Sequence, residues 1–256
     1  MTNKEIWQIA LRQSAVDLNC QPEDFSKTEC VITESKASPD ARKYLPLPFD
    51  CDMVSYGSNI VATIHPQYRE IVERYMSSYP VGNAFETPHL HELSKMFVPY
   101  GLDVCFMAEY FLPDMERLQE LPCAYRVKVL NPKEFVDLYT ETWSNALCAK
   151  RRHLDVLAVG AYDGDRLIGL AGCSADCDSM WQIGVDVLPG YRQQGVASAL
   201  TSRLALEILD RGKVPFYCCA WCNMKSARNA IRSGFTPAWV EITIRSNELI
   251  EELNKV

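Results

Sequence analysis

The sequence predicts an α+β fold: a mixed, mostly antiparallel sheet flanked by helices, with a smaller α/β N-terminal domain before it. Three observations support this fold class. The 256 residues are 48% hydrophobic and 10% aromatic, which is enough to fill a substantial core. Beyond residue 123, strand-like runs come first as hairpins and later alternate with helix-like runs. Before that point the chain is irregular and rich in proline.

The N-terminal domain is predicted over residues 1–122. Helical periodicity begins near Ile6 and again after Pro66, a residue that suits the first turn of a helix. Strand-like runs cover 59–64 and 103–108. The tetrapeptide Pro66-Gln67-Tyr68-Arg69 also resembles Pro189-Gly190-Tyr191-Arg192 further along the chain. A decayed duplication and a coincidence are both open interpretations of that repeat.

The C-terminal domain is predicted over residues 123–256, where the pattern is clearer. Its hairpin turn is Asp163-Gly164-Asp165, and a basic residue followed by glycine at 211–212 ends its long helix. The predicted elements are a strand at 125–130, a helix at 132–143, strands at 156–162, 166–174 and 180–188, a helix at 195–210, a strand at 214–221, a helix at 226–233 and a strand at 235–245.

Charge and hydropathy exclude several classes of function. The chain carries 26 basic and 33 acidic residues, a net charge of −7, and has no long basic stripe for nucleic acid. No stretch of about 20 residues is free of charge, so no membrane span is expected. The first residues lack the apolar core of a signal peptide. We therefore expect a cytoplasmic protein that binds neither nucleic acid nor a membrane.

The eleven cysteines are expected to be reduced thiols. Their number is odd and no secretory signal precedes them, which argues against a disulfide framework. Two clusters, at 173–177 and 218–222, lack the paired spacing of a zinc site, and His89 and His91 would need further ligands. We expect no metal, and most cysteines to be small core residues.

The segment that carries chemistry is the strand–loop–helix at 183–200. Here a β-rich run ends at Pro189, passes through a polar loop and becomes a helix whose first turn offers unpaired amides to an anion. Gly195 lets an anion approach the main chain, and Ala197 keeps the next turn slim. The Walker and Rossmann glycine patterns are absent, which leaves a pyrophosphate-bearing carrier or a plain β–α connection.

A wider pattern around this loop resembles a known family. The residues Arg192-x-x-Gly195-x-Ala197, preceded by Val185-x-Val187-x-Pro189, resemble the acyl-CoA signature of the GNAT superfamily of N-acetyltransferases. Asn223-x-x-Ser226 and the following Gly234-Phe235 resemble its second signature. The resemblance covers residues 124–246 and implies a GNAT-like fold there. It leaves the N-terminal domain without a motif of its own, and a decayed GNAT-like half is one open interpretation of that domain.

The resemblance implies acetyl-CoA as co-substrate. Its pantetheine arm would insert between two splayed strands near Val187 and Tyr217, and a backbone N–H of a bulged strand would stabilise the oxyanion. The residues that the resemblance assigns to CoA binding are Val185, Asp186, Val187, Arg192, Gln193, Gln194, Gly195, Val196, Ala197, Ser198, Asn223 and Ser226.

The catalytic residues stay unassigned, because the sequence departs from the family pattern. The position of the usual tyrosine acid holds Ala230, and the two usual positions of the base fall near Trp181 and at Cys218. Cys218 or Tyr217 would be substitutes, although each is also a normal core residue.

The leading hypothesis is an acetyl-CoA-dependent N-acetyltransferase that acts on the primary amine of a small molecule by direct attack on the thioester. Two alternatives stay open: a non-catalytic acyl-CoA-binding or sensor domain, and a protein or peptide N-acetyltransferase. The sequence does not decide between a monomer and a homodimer.

Overall fold

Residues 1–255 are described by a computed structural model. They divide into two units: residues 1–10 with 111–237, here the C-terminal unit, and residues 11–110 with 238–255, here the N-terminal unit. This division does not follow the predicted boundary at 122/123. Two long strands, Leu102–Pro113 and Phe235–Ser246, each contribute residues to both units. The assignment of 1–122 and 123–256 as domains stays a prediction.

Seven helices and ten strands are found among these residues. The helices are α1 (Asn3–Asp17), α2 (Arg69–Ser78), α3 (Val81–Ala84), α4 (Thr87–Phe97), α5 (Val196–Asp210), α6 (Met224–Arg232) and α7 (Asn247–Leu253). The strands are β1 (Val31–Glu34), β2 (Cys51–Ser55), β3 (Val61–Ile64), β4 (Leu102–Pro113), β5 (Arg126–Leu130), β6 (Asp155–Asp163), β7 (Arg166–Ser174), β8 (Met180–Val187), β9 (Val214–Ala220) and β10 (Phe235–Ser246). None of the helices within residues 1–255 is long and apolar enough to cross a membrane.

The sheet of the C-terminal unit is mixed and mostly antiparallel, as predicted. Its strands lie in the order β5-β6-β7-β8-β9; the first three pairs are antiparallel and the last is parallel. Helices α5 and α6 pack on one face, where Leu200, Leu204 and Ala230 join the inward residues of β6 to β9 in one core. The α+β fold class is confirmed.

The opposite face of this sheet is covered by residues 132–147. The predicted helix at 132–143 is wrong, because this stretch forms three separate 3₁₀ turns. Tyr139 and Thr140, between the second and third turns, have non-helical backbone angles. Much of the stretch consists of β-branched and aromatic residues, which have a low helix propensity. Phe135 and Trp143 are buried against the sheet, so tertiary packing fixes the turns.

The N-terminal unit has its own five-stranded arrangement, β1-β3-β2-β10-β4, in which β1 and β3 are parallel and β2 is antiparallel to both neighbours. Buried side chains of α2 and α4 pack with one face of these strands. The sequence predicted α1, α2, β3 and β4, but with other bounds: β3 is shorter than the predicted run 59–64, and β4 is longer than the predicted run 103–108. It did not predict β1, β2 and α4.

Candidate functional site

Strands β8 and β9 pair only over their first halves. The parallel ladder runs from Met180 opposite Val214 to Ile183 opposite Tyr217. Strand β8 continues through 184–187 and β9 through 218–220, and no further pair joins the two strands among the described residues. We call these unpaired ends the β8–β9 fork. The sequence predicted splayed strands near Val187 and Tyr217, and the apex of the fork lies at Ile183 and Tyr217.

The other edge of β8 is paired with β7 along residues 182–187. Six consecutive pairs join it to β7, from Gly169 opposite Val187 to Ser174 opposite Gln182, without a shift in register. The expected bulge is therefore not found in this span of β8. Between 184 and 187, the backbone groups that point away from β7 lie along the fork and have no strand partner.

The loop between β8 and α5, residues 188–195, turns the chain towards the helix through two left-handed residues. A 3₁₀ turn at Pro189–Tyr191 is followed by Gln193 with φ 63° and Gly195 with φ 80°. Gly195 occupies the N-cap position without a side-chain cap. A Cβ placed on it would have no neighbour within 4 Å, so the space in front of the helix is open.

The start of α5 offers main-chain groups rather than side chains. Ala199 donates its amide to the Gly195 carbonyl at 3.0 Å. The amides of 196–198 precede that bond and, as at the start of any helix, have no acceptor inside the helix. Val196 and Ser198 are buried, and the Ser198 hydroxyl donates back to the Gly195 carbonyl at 3.0 Å. The positive end of the helix dipole adds to the attraction for an anion.

Side-chain hydrogen bonds stabilise the conformation of the β8–α5 loop. Arg192 donates from Nε to the carbonyl of Val187 at 2.9 Å. The Gln194 amide nitrogen donates to the Gly190 carbonyl at 3.1 Å, and its oxygen accepts from the Tyr125 hydroxyl at 2.7 Å. The loop shape is therefore set by side-chain contacts that use none of the amides at 193–198.

The side chain of Asp186 faces away from α5 and holds the covering segment 143–147. Its carboxylate accepts from the Asn145 amide at 2.9 Å, the Asn145 side chain at 2.7 Å and the Ala146 amide at 3.0 Å. A Cβ on Gly184 would lie 1.8 Å from the Asn145 carbonyl oxygen, so that glycine permits the close approach. The side chain of Asp186 is thus occupied by the covering segment, and its role in CoA binding stays a prediction.

The start of α6 carries the second predicted motif. Asn223 caps the helix: its Oδ1 accepts from the Ser226 amide at 3.2 Å. The Ser226 hydroxyl lies 2.8 Å from the hydroxyl of Tyr217, the apex residue of the fork. Burial raises the pKa of Tyr217 above its ordinary value of 10, and the hydrogen bond with Ser226 partly offsets this. Ala230 is 0% exposed, so its position is part of the core.

The two sequence positions considered for a base differ in environment. Trp181 is half-buried and packs on the core under α5. Cys218 lies on the other face of the fork, where its Sγ accepts from the Gln182 amide nitrogen at 2.9 Å. Sequence reasoning missed Gln182 and Asn145. The glycine at 184 was the available signal for a segment packed closely on β8.

The predicted CoA-binding residues thus gather at one end of the sheet. Because β8 and β9 are parallel, their carboxyl ends lie at the same edge of the sheet. Helices α5 and α6, which follow these strands, therefore begin at that edge. The residues at 185–187, 192–198, 223 and 226 all surround this edge, and their role in binding stays a prediction. Within residues 1–255 no group of three or more His, Cys, Asp or Glu side chains is arranged to hold a metal ion.

A mixed sheet that opens into a fork beside two helix N-termini defines this chain as an α+β protein of GNAT-like fold. The family model described as GNAT acetyltransferase matches residues 60–238. The chain therefore belongs to the GNAT acetyltransferase family. Among curated proteins, none matches this sequence.

Solved structures similar to the chain have low sequence identity. A GNAT-family acetyltransferase described as putative, from Novosphingobium aromaticivorans, is 19% identical over 56% of this chain and 66% of its own, with a TM-score of 0.41. A GCN5-related N-acetyltransferase from Kribbella flavida is 15% identical over 60% and 63%, with a TM-score of 0.48. An aminoglycoside N-acetyltransferase in complex with CoA is 21% identical over 43% and 91%, with a TM-score of 0.35.

Proposed function

We propose that the protein is an acetyl-CoA-dependent N-acetyltransferase that acts on a primary amine. The observation that carries this proposal is the fork: the β8–β9 ladder ends at Ile183 and Tyr217, although both strands continue. A single strand-like ligand fits between strand ends that keep their hydrogen-bonding groups free. The amides at the start of α5 lie at the same edge, where they suit a pyrophosphate.

The ligand would be bound along this edge by main-chain groups. The amides of 193–198 would take the pyrophosphate. The edge of β8 at Val185, Asp186 and Val187, where the Val187 carbonyl already accepts from Arg192, would hydrogen-bond pantetheine as an added strand would. Asn223 and Ser226 would lie near the sulfur. This distribution agrees with the side chains of Arg192, Gln194 and Ser198, which are hydrogen-bonded to nearby main-chain carbonyls.

The reaction is direct attack of a neutral amine on the thioester carbonyl. An alkylamine with a pKa of about 10.4 must first lose a proton, and the fork presents no carboxylate for this, since that of Asp186 binds Asn145 and Ala146. Water would carry the proton to solvent. A free backbone N–H on β8 would stabilise the oxyanion before the C–S bond breaks.

A small acceptor is favoured by the covered face of the sheet. Residues 143–147 lie directly on β7 and β8, since added Cβ atoms on Gly172 and Gly184 would collide with the carbonyls of Ala146 and Asn145. An extended peptide would need that face to be open. Protein or peptide acceptors are therefore the second candidate.

We infer a reducing compartment, the cytoplasm, as the location of the protein, and the state of its thiols supports this inference. None of the eleven cysteines forms a disulfide in the part of the chain that the structure describes, and reduced thiols at this number agree with a cytosolic redox state.

Thiol release from acetyl-CoA in the presence of a panel of amines tests this function. The panel contains a polyamine, an arylalkylamine, an aminoglycoside and a lysine-containing peptide. We expect turnover with one of the small amines and saturable CoA binding by calorimetry. Binding without turnover would identify an acyl-CoA sensor instead, and the absence of binding would contradict the proposal.

A further inference from the structure

Strand β1 is the outermost strand of the N-terminal unit, and one of its edges is open. It pairs in parallel with β3, and no second strand pairs with it among residues 1–255. The amides of Val31 and Ser35 donate to the carbonyls of Ile60 and Ile64 at 2.9 and 2.8 Å, so the odd-numbered residues turn their main-chain groups towards β3. Because main-chain groups alternate along a strand, the even-numbered residues of β1 point theirs outwards.

Three of these outward groups have no hydrogen-bond partner in the part of the chain that the structure describes: the amide and the carbonyl of Ile32 and the amide of Glu34. The outward carbonyl of Glu34 accepts from the Asn19 side chain at 2.9 Å, which confirms the direction of these groups. We call the three unpaired groups the β1 edge. A row of such groups is a template for one further strand.

A cleft of about 740 Å³ lies beside the β1 edge. It is lined by β1 and the residues before it, by one side of α2 and by residues 79–81. The apolar residues of its floor all pack on the core of the N-terminal unit and are Cys30, Ile32, Met76, Tyr79 and Val81. The Tyr79 ring packs on Tyr75 and His89, with centroid distances of 5.3 and 4.3 Å, so this part of the floor is formed before any ligand binds.

The rim of the cleft is acidic. The exposed carboxylates of Glu29, Glu70 and Glu73 line it together with one basic side chain, that of Arg74. Glu70 and Glu73 are three residues apart and therefore lie on the same side of α2. Glu73 pairs with Arg69 at 3.1 Å, whereas Glu29 and Glu70 have no ion-pair partner among residues 1–255. A rim with an excess of carboxylates attracts a basic partner.

The β1 edge and the cleft face the same ligand. The side chain of Ile32 is part of the floor of the cleft, and the opposite face of β1 is occupied, since the Thr33 hydroxyl donates to the Leu18 carbonyl at 2.6 Å. A strand added beside β1 would turn every second side chain to the face of Ile32. On that face an apolar side chain would contact the floor, and a basic side chain two residues further would reach the rim.

We propose that the β1 edge and its cleft bind an extended segment of a partner protein in which apolar and basic residues alternate on one face. The main chain of the segment would hydrogen-bond to Ile32 and Glu34, as in other cases of strand addition. Its apolar side chains would bury the floor, and its basic side chains would pair with Glu29 and Glu70. This inference does not depend on the proposed acetyl transfer, since all of its residues belong to the N-terminal unit.

Fluorescein-labelled peptides test the proposal with the full-length protein. The probe is the sequence Val-Ser-Lys-Ser, repeated once, which places valine and lysine on one face and serine on the other. We expect saturable binding in fluorescence anisotropy that weakens with added salt, and no binding by a copy with glutamate in place of lysine. Of two copies that are N-methylated at the odd or at the even positions, only one should bind, because only one set of amides faces β1.

Variants of the β1 edge separate strand addition from other binding. Glu34→Ala and Glu34→Pro both remove the carboxylate, but only proline also removes the outward amide, while the pairing of β1 with β3 uses the odd-numbered residues. Peptide affinity should be about fivefold lower in Glu34→Pro than in Glu34→Ala, the contribution of one hydrogen bond. The two N-methylated peptides test the same bonds without any change in the protein.

Variants of the rim test the charge. Glu70→Gln combined with Glu73→Gln should lower peptide affinity about fivefold, as for the loss of two exposed ion pairs. The matched control combines Glu248→Gln with Glu251→Gln, which are exposed, have the same spacing and begin in the first turn of α7 in the same unit. The control should bind the peptide as the wild type does.

Four outcomes would overturn the proposal. They are no saturable binding of the lysine peptide up to millimolar concentration, and equal binding of the glutamate peptide. Binding that is insensitive to N-methylation and is displaced by hexanediamine would assign the cleft to a small cation instead. Self-association in light scattering that Glu34→Pro abolishes would assign the β1 edge to a second copy of this chain.

Discussion

Two strand–turn–helix segments of this chain begin alike and end differently. In the C-terminal unit, β8 leads into a 3₁₀ turn at Pro189–Tyr191 and then into α5. In the N-terminal unit, β3 leads into a 3₁₀ turn at Pro66–Tyr68 and then into α2. The sequence repeat Pro-x-Tyr-Arg is thus matched by a repeat in local structure.

The difference between them is four residues long. Helix α2 begins at Arg69, directly after its turn, whereas 192–195 separate the other turn from α5. At the first segment the His65 ring accepts from the Gln67 amide at 3.4 Å, and the Arg69 amide donates to the Pro66 carbonyl. The amides of Gln67 and Arg69, which an anion at the start of α2 would need, therefore already have acceptors within the protein. The added loop, with its two left-handed residues, is what opens a helix start to a ligand.

The largest effect is expected for Gly195→Glu. A carboxylate in front of α5 would add bulk and negative charge where the pyrophosphate is proposed to bind, so CoA affinity should fall by more than about 100-fold, as for unscreened like charges at close range. Calorimetry with CoA measures this. Gly212→Glu is the matched control, because Gly212 has φ 72° and open space at the other end of the same helix. Equal affinity in the two variants would contradict the site.

Gly195→Ala sharpens the same comparison without a charge. Both Gly195→Ala and Gly212→Ala place a side chain at positive φ and should cost about 1–2 kcal/mol of unfolding free energy. Only the first should also weaken CoA binding, by about tenfold, since its Cβ projects into the open space before the helix. Thermal melts and calorimetry on the two variants separate strain from binding. A parallel loss of affinity in Gly212→Ala would show that strain alone explains the effect.

Arg192→Gln removes the brace between the loop and the end of β8. The Nε bond to the Val187 carbonyl and one positive charge would be lost, and we expect CoA affinity to fall about fivefold, in the range of one charge-assisted hydrogen bond. Arg69→Gln is the control at the equivalent position of the other segment, where the side chain pairs with Glu73. CoA affinity should not change in it, and a similar drop there would refute a specific role of the loop.

The smallest effect is expected for Glu70→Gln, in the first turn of α2. A carboxylate at this place favours the helix through its dipole, so its loss should lower the unfolding free energy by about 0.3–1 kcal/mol. CoA affinity should stay at the wild-type value. Chemical denaturation and calorimetry provide the two measurements, and tighter CoA binding would mean that α2 also accepts an anion.

The sequence predicted the C-terminal unit well where pattern and local structure agree. Hairpin strands around Asp163-Gly164-Asp165, the turn at Pro189 and the glycine that follows α5 are local signals, and all lie where expected. The stretch at 132–143 was mispredicted because burial of Phe135 and Trp143, a tertiary effect, decided its conformation.

The contacts at the fork were beyond sequence reasoning for a different reason. Gln182 and Cys218 meet only because β8 and β9 pair in one register. Tyr217 and Ser226 meet because α6 packs back on β9. A hydrophobic pattern determines which face of a strand is buried, but it does not determine where a parallel ladder stops. The motif residues therefore predict where the site lies, whereas the partners of its hydroxyl and thiol groups depend on tertiary packing.

The braces under the β8–α5 loop have a kinetic consequence. Tyr125 and Arg192 hold the loop through Gln194 and Val187, so its conformational entropy is lost when the chain folds and not when CoA arrives. The diphosphate of CoA would then bind first to the rigid β8–α5 loop, and the flexible pantetheine arm would enter the fork afterwards. Discrimination among CoA thioesters would fall to the far end of that arm, where the acyl group meets the apex of the sheet.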